Sequence, residues 1–92
     1  MVITKSDKAD KKLKAVFTVN GKTKTIHFGA AGMSDFTKHK DADRKARYLA
    51  RHSRNETWNN PMTAGSLSRW VLWNKTSLQA SIADFKKRFH FK

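Results

Sequence analysis

The sequence predicts an α+β fold, a single small domain in which an N-terminal β-hairpin is packed by about three α-helices. Three observations predict it. Residues 13–28 read LKAVFTV, NG, KTKTIHF, two β-rich runs around an Asn-Gly pair. After residue 40, apolar and basic side chains recur at intervals of three and four, the period of a helix. Finally, 92 residues form one domain with one small core.

Residues 1–12 carry Lys5, Lys8, Lys11 and Lys12 among Asp7 and Asp10, with little apolar anchorage after Ile3, and are expected to be a flexible basic arm. In the hairpin, Asn20-Gly21 fits a two-residue type I′ turn, which needs φ > 0 at both positions. Such a turn places Leu13 opposite Phe28, Ala15 opposite Ile26 and Phe17 opposite Lys24. Apolar groups then collect on one face, and Lys14, Val16, Thr18, Thr23, Thr25 and His27 take the other. A lone hairpin is marginal in water, so helices must cover its apolar face. Gly29-Ala30-Ala31-Gly32 reads as a plain turn, because no Lys-Ser or Lys-Thr follows where a phosphate loop requires it. Phe36 is expected to plug the core.

The first helix spans about 41–54, capped by Asp41, with Asp43 in its first turn. Arg44, Arg47, Arg51 and Arg54 fall on one side of it, and Ala42, Ala46, Leu49, Ala50 and Ser53 are expected to form the packed side. Guanidinium forks suit phosphate oxygens, since each donates two parallel hydrogen bonds and none loses its proton near neutrality. A second helix spans about 63–74, capped by Thr63, with Leu67, Trp70, Val71 and Asn74 on one face. A third spans about 77–89, with a Leu78, Ile82, Phe85, Phe89 stripe and a basic cluster, Lys86, Lys87 and Arg88, at its C-terminal end.

Twenty Lys plus Arg against seven Asp plus Glu give a net charge of +13, which points to a polyanionic partner. The residues offer little to catalysis: Glu56 is the only glutamate, and His27, His39, His52 and His90 match no zinc spacing. No enzyme, metal or cofactor is expected. There is no cysteine to staple the fold and no apolar run long enough for a signal peptide or a membrane span, which predicts an intracellular product that is not secreted.

The text from Ile26 to Phe89 carries a resemblance, chiefly in HFGAAGMSDFTKHKD, RKARYLARHSRNETWNNPMTAGSLSRWVLWNK and TSLQASIADFKKRF. It resembles a family of uncharacterised small basic proteins encoded by large DNA viruses of eukaryotes, of the phycodnavirus and mimivirus kind. The resemblance implies a viral product, located in the virion and the infected cell, and lends no catalytic or ligand residue. Two functions fit that setting. One is low-specificity binding and condensation of packaged double-stranded DNA by Arg44, Arg47, Arg51, Arg54, Lys86, Lys87, Arg88, Lys11 and Lys12. The other is a minor capsid component meeting acidic coat proteins or the inner membrane surface, with Trp58, Trp70 and Trp73 as interface anchors.

Overall fold

In the computed structural model, which describes residues 1–92, the expected hairpin is the larger part of a three-stranded antiparallel sheet of order β1-β2-β3. Strands β2 (Lys11–Val19) and β3 (Lys22–Ala30) pair with Leu13 opposite Phe28, Ala15 opposite Ile26 and Phe17 opposite Lys24, the register that the two-residue turn dictates. Asn20 and Gly21 both take positive φ, 52° and 77°. The apolar face contributes Ala15, Phe17 and Phe28 to the core, all essentially buried.

Residues 1–12 are not a free arm. Val2–Lys5 form β1, an edge strand on β2 that sets Ile3 opposite Ala15 against the core. The connection to β2 is pinned as well. The Ser6 hydroxyl accepts from the Lys8 amide at 3.0 Å and lies 2.7 Å from His27 Nδ1. Two apolar residues and one backbone ladder were enough to order this segment. Lys11 and Lys12 consequently sit within β2.

A one-turn helix, α1 (Phe36–His39), follows the sheet. Asp35 caps it by accepting from the Thr37 amide at 3.0 Å, and Lys40 closes it in the left-handed region at φ 55°. Phe36 is buried, as expected of it. Helix α2 (Ala42–His52) begins at the Asp41 cap. It stops short of Arg54, which stands in the following turn.

The segment expected as one helix from 63 to 74 is two pieces, α3 (Ala64–Leu67) and a π-helical turn (Ser68–Leu72) closed by a hydrogen bond from the Trp73 amide to Ser68 O at 3.1 Å. The i→i+5 bonding takes in one more residue per turn, so Leu72 joins Leu67 and Val71 in facing the sheet. Leu72 packs against Gly29 so closely that a Cβ there would lie 2.7 Å from its Cδ1. Helix α4 (Leu78–Arg88), capped by Ser77, inserts Phe85 fully into the same core, while Leu78 at its start remains 37% exposed. The core therefore lies between the inner sheet face and the α3, π-turn and α4 layer. Helix α2 is peripheral to it.

Candidate nucleic-acid interface

Helix α2 docks through a different side from the one its alanines mark. Its inward residues are Lys45, Tyr48 and His52, with Tyr48 the one buried side chain; of the side expected to pack, Leu49 is half-buried, whereas Ala42, Ala46, Ala50 and Ser53 are exposed. At 100° per residue this inward face lies beside the arginine side rather than opposite it. One large aromatic ring buries more apolar surface than several methyl groups, and that decides the orientation. Arg44, Arg47 and Arg51 remain exposed along the helix and Arg54 in the turn beyond it. None of the four has a carboxylate within 4.0 Å. Asp41 is occupied as the cap: hydrogen bonds from the Arg44 and Asp43 amides hold its carboxyl below the usual aspartate value, against the opposing effect of desolvation.

Tyr48 anchors the helix by stacking. Its ring lies 4.2 Å from that of Trp73, with 4° between the planes, and 4.0 Å from His52 on the same helix. His39 tilts against Trp73 at 5.3 Å. His39 and His52 therefore stand at the ends of a column with two rings between them. Burial pushes the Tyr48 hydroxyl up to about 12. A second anchor is Lys45, which donates to Asn74 O at 2.8 Å and lies over Phe36; burial first, then Arg69 and Lys75, lowers its pKa.

Between this helix and the sheet lies a cleft of about 410 Å³ that brings Arg51 and Lys11 together over Tyr48 and Trp73. Lys12 reaches the same cleft but is not free. Its ammonium pairs with buried Asp35 at 2.6 Å, which makes it a structural group rather than a phosphate ligand. Of these two adjacent lysines, only Lys12 meets an acid.

The third-helix cluster is also divided. Lys87 is exposed and Lys86 half-buried, while Arg88 lies 3.8 Å over the Trp70 ring and 3.4 Å from Asp84. Burial alone would raise Asp84, but the Asn74 amide and Arg88 outweigh it and hold the carboxyl below its ordinary value. Arg69, which sequence reasoning missed, packs against Trp70 at 4.0 Å and Trp58 at 5.4 Å and donates to Trp73 O at 2.9 Å. Burial and then the nearby Arg88 lower its pKa, and its Nε is buried without an acceptor. The signal for it was its place beside Trp70 in the Arg69-Trp70 pair.

The three tryptophans are half-buried and do not form one patch. Trp73 belongs to the arginine cleft. Trp58 and Trp70 line a separate shallow groove with Arg88 and Phe89, where the Trp70 indole N–H donates to Trp58 O at 2.9 Å. No group of three or more His, Asp or Glu side chains is placed to hold a metal ion, and no helix is long and apolar enough to cross a membrane.

A family model described as a family of unknown function, DUF5754, matches residues 1–52. No curated protein and no solved structure matches the chain. The matched segment holds the whole sheet, α1 and α2, and thus Lys11, Arg44, Arg47 and Arg51, but neither Arg54 nor any tryptophan. Since it covers more than half of the chain, the protein belongs to the family of unknown function DUF5754.

Proposed function

We propose that this protein is a non-enzymatic nucleic-acid-binding protein of low sequence specificity that neutralises and condenses packaged DNA in a large DNA virus. The observation that carries this reading is the set of exposed guanidiniums on α2 and the turn after it, none with an acidic partner. From Arg44 to Arg51 the helix rises about 10 Å. That is close to the roughly 12 Å width of a duplex major groove, so side chains at the two ends reach phosphates on both flanks. Lys11, sharing the cleft with Arg51, extends the contact onto the sheet. The aromatic rings of the cleft are stacked on one another. Tyr48 lies between His52 and Trp73, and Trp73 between Tyr48 and His39, which supports phosphate contact to duplex over base stacking on a single strand. The viral setting rests on the resemblance carried by Ile26–Phe89.

A salt titration of binding to an unrelated duplex tests the reading. Each of Arg44→Ala, Arg47→Ala, Arg51→Ala and Arg54→Ala is expected to weaken binding uniformly across sequences and to lower the magnitude of the log–log salt slope by about one. Unchanged binding by the quadruple variant, with its circular dichroism intact, would refute it. A second reading, a minor capsid component meeting acidic coat proteins, is favoured by the Trp58, Trp70, Arg88 groove. It requires weak DNA binding that ignores the α2 arginines.

A further inference from the structure

On the other side of the Lys12–Asp35 ion pair lies a second cavity, an open one of about 540 Å³ formed by the β1–β2 connection, the loop after β3, α1 and the start of α4. Its size is that of a small-molecule site. Lys5, Lys8, Lys11 and Lys38 line it, and none has a carboxylate within 4.0 Å. The two acids of its wall are already engaged, Asp35 with Lys12 at 2.6 Å and Asp7 with Lys14 at 3.7 Å. The lining beside the lysines is aliphatic: half-buried Leu13, exposed Leu78 and the edge of buried Leu72. Leu78 stays 37% exposed there although it begins the apolar stripe of α4. The loop after β3 contributes Gly32 at φ 83°, whose amide N–H makes no hydrogen bond within the protein.

Four ammonium groups without counter-charge beside an uncovered apolar surface define the ligand by complement. A single carboxylate or phosphate would meet one or two of the lysines and leave the rest in mutual repulsion. A polyphosphate chain has the charge and reach to face all four, and the leucines offer burial to an apolar body attached to it. We propose that this cavity binds a nucleoside triphosphate, with the phosphates among Lys5, Lys8, Lys11 and Lys38 and the base and sugar against Leu13 and Leu78. It is a binding site only, and it is no phosphate loop, because the chain after Gly32 lacks the lysine and helix of that motif. It shares Lys11 with the arginine cleft but contains none of the α2 arginines, and it does not depend on their role.

Calorimetry with ATP and with inorganic tripolyphosphate at fixed ionic strength tests this on the full chain, together with amide shift mapping by NMR. The expected result is saturable one-to-one binding of ATP, at least about tenfold tighter than tripolyphosphate, with shifts centred on Ala9, Gly32 and Lys38. Lys5→Gln with Lys38→Gln is expected to weaken ATP binding at least about tenfold, the loss of two charge-assisted contacts. Leu78→Ser should weaken ATP several-fold and leave tripolyphosphate unchanged. Arg44→Gln with Arg47→Gln should alter duplex binding and leave ATP binding intact, which separates this site from the DNA reading. Non-saturable binding, equal affinity for tripolyphosphate and ATP, or an equal loss in the arginine double variant would overturn the proposal.

Discussion

Helix α2 and the C-terminal layer of α3, the π turn and α4 use the same residue type in opposite ways. On α2, arginines stand in solvent on a helix that enters the core through nothing but Tyr48. In the C-terminal layer, Arg69 and Arg88 lie against Trp70, and their neighbours Leu67, Val71, Leu72 and Phe85 form the core. An arginine laid against a half-buried tryptophan is scaffold, its guanidinium covering the ring and, for Arg69, capping a carbonyl. An arginine on the exposed side of a helix docked through Tyr48 and Lys45 is free for a ligand. Net charge alone does not separate the two, and it overstates the charge available for binding.

The largest effect that sharpens this contrast is in the core of the C-terminal layer. Phe85→Ala is expected to cost roughly 3–5 kcal/mol by chemical denaturation, near the whole stability of so small a domain. An unshifted transition would mean that the layer is no more a scaffold than α2. Next comes Arg69→Ala, expected to cost about 1–3 kcal/mol through the lost carbonyl contact and the uncovered indoles. Arg47→Ala should instead leave the unfolding curve in place and change only the salt dependence of DNA binding. The contrast fails if both arginines behave alike.

Tyr48 gives a spectroscopic test, because it is the only tyrosine of the chain. Its ultraviolet titration should centre near 12 rather than 10. The folded pKa is raised, so the associated stability is present in full below the unfolded value of about 10 and lost as pH rises through about 12. An unfolding series in which alkaline stability does not fall across that window would remove Tyr48 as the buried anchor. The smallest effect is expected at Ala46, on the exposed side of α2, where Ala46→Ser should change stability by no more than about 0.5 kcal/mol.

The hairpin was legible because one local signal, Asn20-Gly21, determines register and register determines the inward face. The helix caps Asp41 and Thr63 were legible for the same reason: each acts over three residues. Strand β1 was not, since the lysines and aspartates that follow Ile3 read as solvated chain and its order comes from pairing with a strand that only the fold supplies. The packed side of α2 was misread except at Leu49, because a helix docked by one stack and one lysine has little apolar period to find. Lys12 and Lys11 look alike in sequence, and the distinction between them rests on Asp35, 23 residues on from Lys12. The π turn left no mark in composition at all.

The manner in which α2 is attached has a consequence for its motion. With one buried ring and the Lys45 contact to hold it, the helix is a candidate unit of local opening, cheaper to release than the sheet or α4. Its amide protons should exchange with solvent ahead of those of β2 and β3. A polyanion laid along the guanidiniums would bridge successive turns of the rod and slow that exchange, so protection confined to residues 42–52 would record occupancy of the helix without any label on the ligand.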